Sequence, residues 1–239
     1  MAITTIFYDL DGTLLPMDMD EFIGGYLKLL CEKMVPYGFE PKALAKNIMK
    51  GTGVMQNNDG SVTNEEAFWT FFRAQYPDID MDPLIAVFED FYRNEFKNAK
   101  CFVGFNEKAR YTVDEVAKLG FKQVLATNPY FPDTATDNRI KWAGLDRAMF
   151  ETITTYEHYH YCKPNTKYYL ELLDRLKLVP QEVLMVGNDV DEDMVAKDIG
   201  MQVFLLTDCM INKNNKDIEC YRHGSFDELM SYIKQLKEQ

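Results

Sequence analysis

The segment ITTIFYDLDGTLLP, residues 3–16, joins a strand-like apolar run to a polar turn. Its first part, ITTIFYDL (3–10), is apolar with little polar alternation, which is typical of a strand buried on both faces. Asp9 and Asp11 stand within three residues of each other at the end of this run, and Gly12 follows at once. Like charges this close are tolerated when a cation lies between them or a proton is shared. The segment therefore predicts a buried strand that ends in a functional site.

Four further apolar runs have the same strand character, and helical patterns alternate with the runs. The runs are KQVLATN (122–128), ETITTY (151–156), EVLMVGN (182–188) and MQVFLLT (201–207). The helical patterns cover residues 105–119, 133–143, 164–177, 191–199 and 226–237. Strand–helix alternation predicts an α/β fold, a doubly wound parallel sheet of the Rossmann-like type with helices on both faces.

Residues 17–99 interrupt this alternation with a block that is predicted to be helical. Its segments are MDEFIGGYLKLLCEKM, PKALAKNIMK, TNEEAFWTFFRAQY and PLIAVFEDFYRNEF, and Thr63 with Glu66 forms a capping-box pattern. The stretch GTGVMQNNDGSVTN between them is predicted as turns, with substrate-facing loops as the alternative. About 80 residues is too long for an ordinary connection, so an inserted α-helical cap domain is expected.

The predicted domains are a catalytic core over residues 1–16 and 100–239 and a helical cap over residues 17–99. Aromatic residues concentrate in the third cap segment, and they are expected to form the core of the cap. These residues are Phe68, Trp69, Phe71, Phe72 and Tyr76. Part of this cluster could instead line a substrate pocket, and the sequence leaves open which residues set specificity.

The amino-acid composition limits the kinds of molecule and surface that this protein is expected to bind. The 239 residues include 26 basic and 38 acidic side chains, a net charge of −12, which argues against a broad nucleic-acid surface. Five scattered cysteines without a C-x-x-C pair argue against disulfides or a zinc knuckle. The start of the sequence lacks signal-peptide character, and no apolar run reaches membrane-spanning length. The expectation is a cytoplasmic protein that binds neither nucleic acid nor membrane, with its oligomeric state open.

Polar residues cluster where the predicted strands end, and in doubly wound sheets that edge binds ligands. The candidates are Asp9, Asp11, Thr127, Asn128, Asn188, Asp189 and Asp193, together with Lys163 ahead of a helix. A set of oxygen donors of this kind suits Mg²⁺. The ion and the lysine would form a positive cradle for a phosphoryl group. One carboxylate could then attack phosphorus, and a second could act as general acid and base.

Four motifs in this order, DLDGT, VLATN, CKPN and VLMVGNDVDED, resemble those of the haloacid dehalogenase (HAD) superfamily. The insertion after the first motif resembles the helical C1 cap of its phosphatases. The resemblance implies that Asp9 is the nucleophile and a metal ligand. It also implies that Asp11 is the general acid/base, with its main-chain carbonyl on the metal. Thr127, the Asn128 amide and Lys163 would hold the phosphate.

The fourth motif departs from the Gly-Asp-x-x-x-Asp pattern that the family often shows. Asp189 and Asp193 keep the expected four-residue interval, so metal ligation is assigned to Asp189 and a supporting position to Asp193. Measured back from Gly200, Asn188 and Glu192 would occupy those places instead. The Asn188 amide oxygen therefore stays an alternative or additional ligand.

The function expected from these residues is a Mg²⁺-dependent phosphatase that hydrolyses a small phosphomonoester through an aspartyl-phosphate. A phosphomutase of the same fold and a non-catalytic protein that binds a phosphorylated metabolite are the alternatives. Both Asp9 and Asp11 are present, which favours catalysis. Phosphoglycolate, nucleoside monophosphates and sugar phosphates are all open as substrates.

Overall fold

One parallel β-sheet forms the centre of the molecule. The structure is a computed structural model that describes residues 2–238, and within them six strands pair in the order β3-β2-β1-β4-β5-β6. The strands are β1 (Thr5–Tyr8), β2 (Lys122–Leu125), β3 (Thr152–Ile153), β4 (Val183–Gly187), β5 (Gln202–Leu206) and β6 (Arg222–Gly224). The predicted α/β fold is confirmed, and all five predicted strands are present. The short polar strand β6 was not predicted.

Helices cover both faces of the sheet and form the long insertion. The α-helices are α1 (Met19–Met34), α2 (Pro41–Gln56), α3 (Asn64–Ala74), α4 (Asp82–Arg93), α5 (Glu107–Lys118), α6 (Asp133–Trp142), α7 (Thr166–Leu176) and α8 (Phe226–Lys237). The helix predicted after β4 is a 3₁₀ helix, Met194–Ile199. It begins late because the Asp189 carboxylate accepts the N–H groups of Asp191 and Glu192 and holds that stretch as a turn.

The core divides between the two faces of the sheet. Along β1, Ile6 and Tyr8 pack into one hydrophobic cluster, which continues into the helical insertion. Phe7 points the opposite way and packs with Tyr168 and Leu172 of α7. Alternate residues of one strand thus enter different clusters, as the two-residue period of a strand requires. This arrangement explains why Ile6, Phe7 and Tyr8 form a continuous apolar run in β1 without polar alternation.

Strand register brings three strand ends to one level. Tyr8 pairs with Leu125 of β2 and with Val186 of β4. The residues that follow these strands therefore emerge side by side at one edge of the sheet, which is where open parallel sheets bind ligands.

The helical insertion leaves and rejoins the sheet layer at neighbouring points. Met17 forms an antiparallel bridge with Val103, and the Gly104 N–H donates to the Pro16 carbonyl at 2.7 Å. The domain boundary at 99/100 stays a prediction, although a 3₁₀ segment, Glu95–Phe102, runs across it. Across residues 2–238, no helix has both the length and the apolar character needed to cross a membrane.

The predicted capping box in the insertion is confirmed, whereas the turn predicted ahead of it is not. The capping box is present, since Thr63 Oγ1 accepts the Glu66 N–H and the Glu66 carboxylate accepts the Thr63 N–H. The turn predicted at residues 51–53 is wrong, because α2 continues through both glycines to Gln56. A Cβ at Gly51 would lie 2.5 Å from the Phe68 ring, so this glycine permits close packing of α2 on α3.

Candidate active site

Asp9 lies directly beyond β1, and both of its carboxylate oxygens are held. Its backbone N–H donates to the Val186 carbonyl at 2.9 Å, which continues the sheet by one residue. Oδ1 accepts from Lys163 Nζ at 2.8 Å, and Oδ2 accepts from Thr13 Oγ1 at 3.2 Å. The side chain is almost fully buried yet still reaches a cavity at the sheet edge.

The turn after Asp9 depends on glycine. Gly12 has a φ of 85°, which lies in the left-handed region that favours glycine. A Cβ at this position would lie 2.3 Å from Nδ2 of Asn188. Any other residue here would displace Asn188 and loosen the contact between the ends of β1 and β4.

Lys163 supplies a buried positive charge beneath Asp9. Its Nζ donates to Asp9 Oδ1 at 2.8 Å and to Asp193 Oδ1 at 2.7 Å, and the residue has no exposed surface. Burial lowers the pKa of Lys163, but the carboxylates of Asp193 and Asp9 outweigh it and raise this pKa well above its ordinary value. The ammonium group is therefore charged throughout the physiological pH range.

Asn128 and Thr127 follow β2 and are fixed by polar contacts. The side chain of Asn128 accepts the Lys163 N–H at 3.1 Å and donates to Glu192 Oε2 at 2.9 Å. The Thr127 carbonyl accepts from the Tyr168 hydroxyl at 2.9 Å. These contacts tie the end of β2 to the segment that carries Lys163 and to the turn after β4.

Asp11 forms an ion pair with Arg139, a fully buried residue of α6. The Arg139 guanidinium also stacks over the Phe131 ring, 4.4 Å from its centroid, and donates to Thr136 Oγ1 at 3.1 Å. Burial raises the pKa of Asp11 to about 6, with Arg139 opposing the shift and the Asp9 charge adding to it. Arg139 binds Oδ2, while Oδ1 of Asp11 is buried without a hydrogen-bond partner in the described residues.

Arg139 is the site-adjacent residue that sequence reasoning missed. It comes four residues after Ala135 and three after Thr136, and all three lie on the buried face of α6. A buried charged residue needs a partner of opposite charge. The sequence of α6, DTATDNRIKW, has no apolar period that would have marked Arg139 as buried, so no sequence signal pointed to it.

The turn after β4 brings Asn188, Asp189 and Asp193 together. Asn188 Oδ1 accepts from Thr13 Oγ1 at 2.9 Å, and its Nδ2 donates to the Cys209 carbonyl at 2.7 Å. Asp189 donates its backbone N–H to Asp193 Oδ2 at 3.0 Å. Asp189 Oδ1 is occupied by two backbone N–H groups, whereas Asp193 is directed towards Lys163.

Seven of the eight predicted site residues line one cavity of about 420 Å³ between the sheet edge and the helical insertion. The seven are Asp9, Asp11, Thr127, Asn128, Asn188, Asp189 and Asp193. The eighth, Lys163, lies behind Asp9. Their proximity is a finding, while the role assigned to each residue stays a prediction.

The electrostatics of the cavity floor fit a divalent cation, although no preformed cluster of three His, Cys, Asp or Glu ligands exists among residues 2–238. Burial raises the pKa of Asp193 to about 7, with Lys163 opposing and the Asp9 charge adding to the shift. Burial likewise raises the pKa of Glu192 to about 8. Carboxylates that burial has removed from water, together with the oxygen donors of Asp9, Asn188 and Asp189 at this floor, suit an ion that takes oxygen ligands.

Comparison with known proteins places this chain in a family. The family model for haloacid dehalogenase-like hydrolases matches residues 6–206. The pyrophosphatase PpaX of Bacillus velezensis is 27% identical over 199 residues, which cover 83% of this chain and 80% of PpaX.

Solved structures share the fold over nearly the whole chain. A HAD phosphatase from Thermococcus onnurineus superposes with a TM-score of 0.58 at 19% identity, covering 97% of this chain and 98% of that one. The HAD-hydrolase YfnB of Bacillus subtilis, solved with magnesium, gives 0.60 at 19% identity, covering 98% and 100%. The family match spans most of the chain, and the chain therefore belongs to the haloacid dehalogenase-like hydrolases.

Proposed function

We propose that this hydrolase is a Mg²⁺-dependent phosphatase that cleaves a small phosphomonoester through an aspartyl-phosphate on Asp9. The observation that carries the proposal is the pair of carboxylates at the cavity floor, each held by its own buried cation. Lys163 binds Asp9, and Arg139 binds Asp11. The two acids are thereby given different environments, as a nucleophile and a proton donor need.

In the first step, an Asp9 carboxylate oxygen attacks phosphorus and the bond to the leaving alcohol breaks. Lys163 and Thr13 orient the Asp9 carboxylate for this attack. Asp11 donates a proton to the leaving oxygen, so the alcohol departs neutral. A pKa of about 6 lets Asp11 hold that proton in part near neutral pH, and Oδ1 is the oxygen not engaged by Arg139.

In the second step, water attacks the acyl-phosphate and the Asp9–phosphate bond breaks. Asp11, now ionised, takes the proton from that water, so the Asp9 carboxylate and inorganic phosphate are released. Thr127 Oγ1, the backbone N–H of Asn128 and Lys163 are the proposed phosphate contacts. Contacts between the Asn128 side chain and both Lys163 and Glu192 support this position for the N–H group.

Mg²⁺ would be held by Asp9, the main-chain carbonyl of Asp11 and Asp189, with Asp193 supporting through Lys163. When bound, the ion supplies positive charge that offsets the charge on the transferring phosphoryl oxygens. The helical insertion is proposed as the cap that closes the cavity from the side opposite the sheet. The five free cysteines are consistent with the proposed cytoplasmic location.

The direct test is release of inorganic phosphate from acetyl phosphate and p-nitrophenyl phosphate by the purified protein with Mg²⁺. Turnover that EDTA abolishes and Mg²⁺ restores is expected. Absence of turnover on both compounds and on a broad panel of phosphorylated metabolites would contradict the phosphatase proposal and favour a binding protein.

Metal binding is expected to stabilise the protein independently of catalysis. At ten times its dissociation constant, Mg²⁺ should add about 1.4 kcal/mol to the free energy of unfolding, or roughly 3–6 °C in melting temperature. Asp189→Asn should remove this shift, because the backbone contacts of Oδ1 can be kept while an NH₂ group replaces the ligand oxygen. Differential scanning fluorimetry with and without Mg²⁺ measures the effect.

A substitution two residues after Asp189 serves as the matched control for Asp189→Asn. Asp191→Asn makes the same charge change in the same turn, where the side chain contacts Lys216 and Asn214 instead. This variant should keep the Mg²⁺ shift. If Asp189→Asn also keeps it in full, ligation by Asp189 is wrong, and Asn188 becomes the candidate ligand.

Replacing Asp11 with Asn should lower kcat/KM about 10²–10⁴-fold for alkyl phosphates, since the leaving oxygen loses its proton donor. The loss should be smaller for acetyl phosphate, because acetate departs without protonation. Equal losses on the two substrates would contradict the acid role of Asp11. Because Arg139 also loses its buried partner, a lower melting temperature is expected, and assays belong well below it.

A further inference from the structure

The cavity above the site is lined mainly by apolar and aromatic side chains. Its volume of about 420 Å³ exceeds what a phosphoryl group alone requires. The upper wall comes from α1, α2, α3 and α4 of the helical insertion and includes Ile23, Met49, Met55, Phe68, Trp69 and Phe88. Ligand pockets with this character bury apolar parts of their ligands.

Positive charge is scarce in the part of the cavity that would hold the leaving group. Among the described lining residues, Lys213 is the single basic side chain, and it is exposed. The acids Asp18 and Asp20 also line the cavity. Arg139 is fully buried and engaged with Asp11. A leaving group with a carboxylate or a second phosphate would therefore meet more negative than positive charge.

Two hydrogen-bonding side chains beside the aromatic part of the upper wall are already engaged. The Trp69 indole N–H donates to the Tyr156 hydroxyl at 3.4 Å, and Thr52 Oγ1 donates to the Ile48 carbonyl at 3.2 Å. A sugar or glycerol group packed against Phe68, Trp69 and Phe88 would lose its bonds to water and find no free hydrogen-bond partner on those rings, which costs free energy for each unpaired hydroxyl.

We infer that the substrate is a phosphomonoester of an uncharged, predominantly apolar alcohol, with a group the size of an aromatic ring packed against Phe68, Trp69 and Phe88. The inference rests on the proposed phosphatase function and specifies its substrate class. It excludes phosphoglycolate, pyrophosphate and sugar phosphates as preferred substrates, because each brings charge or hydroxyl groups that the upper wall does not match.

The test compares monoesters whose alcohols have comparable acidity, so that leaving-group chemistry does not decide the result. Phenethyl phosphate should exceed glycerol phosphate in kcat/KM by about 30-fold, the effect expected from burying one aromatic ring. Phosphoglycolate and a ribonucleoside monophosphate should both fall below phenethyl phosphate. Acetyl phosphate serves as the reference that reports on the catalytic groups alone.

A cavity-filling variant tests the location of the preference. Thr52→Trp places a large ring inside the cavity and should lower the ratio of phenethyl phosphate to acetyl phosphate turnover about tenfold. Lys50→Trp adds the same ring to the exposed surface of α2, outside the cavity lining, and should leave the ratio unchanged.

The possible outcomes separate the two proposals. Turnover of acetyl phosphate combined with equal or faster turnover of a charged or hydroxyl-rich ester would overturn the apolar substrate class and leave the phosphatase function standing. An unchanged ratio in Thr52→Trp would also overturn it. Failure on acetyl phosphate and on every ester would overturn the phosphatase function and this inference with it.

Discussion

Replacing Asp9 with Asn is expected to abolish phosphate release, with kcat reduced by at least about 10⁴-fold, as seen when a covalent nucleophile is removed. The amide is nearly the same shape as the carboxylate, and its oxygen can still accept from Lys163 Nζ. It cannot attack phosphorus. Wild-type protein quenched during turnover should carry a phosphoryl adduct on the peptide containing Asp9, measured by mass spectrometry, and the variant should carry none.

The folded state of this variant is expected to be intact. Asp9 adds to the raised pKa values of Asp11 and Asp193, so removing its charge relieves repulsion among the buried carboxylates. A melting temperature close to that of the wild type would show that lost turnover reflects chemistry. Undiminished turnover by Asp9→Asn would contradict the covalent route.

Replacing Lys163 with Met is expected to cost both stability and activity. The ammonium group is the buried partner of Asp9 and Asp193, at 2.8 Å and 2.7 Å. Removing one partner of a buried ion pair costs about 3–5 kcal/mol, because a charge is left uncompensated in the interior. A fall of roughly 10 °C in melting temperature is expected for a chain of this size.

A second substitution distinguishes loss of charge balance from loss of packing. Adding Asp193→Asn to Lys163→Met removes one of the two stranded carboxylates and should recover part of the lost stability. Phosphate release should stay absent in the double variant, since the phosphate has lost its lysine. If the double variant is less stable than Lys163→Met, the ion pair is not the source of the stability.

The sequence was sufficient to predict the strands whose residues form continuous apolar runs. The five predicted strands are apolar runs bounded by turns, and burial on both faces of the sheet produces that pattern. β6 consists of Arg222, His223 and Gly224 at the sheet edge. It was not predicted because these residues do not form an apolar run. The continuation of α2 through Gly51 was missed because close packing against Phe68 outweighs the low helix propensity of glycine.

The candidate site was predictable where its residues end strands. Asp9, Thr127 and Asn188 follow β1, β2 and β4, and parallel pairing in register necessarily brings such positions together. Arg139 was not found because its partner, Asp11, lies 128 residues away in sequence and the pairing depends on how α6 packs. The apolar wall of the cavity was equally hidden, since the sequence cannot separate aromatic residues that face a cavity from those that fill a core.

The paired crossings at Pro16–Met17 and Val103–Gly104 have a consequence for how such a chain can evolve. The segments that leave and re-enter the core contact each other, because Met17 pairs with Val103 and the Gly104 N–H donates to the Pro16 carbonyl. The helices between them can therefore change in length or sequence without altering the spacing of β1, β2 and β4. Residues of the insertion can therefore be replaced while the positions of Asp9, Asp11 and Lys163 stay fixed. Under the proposed function, this separation would let the substrate class change while the reaction is kept.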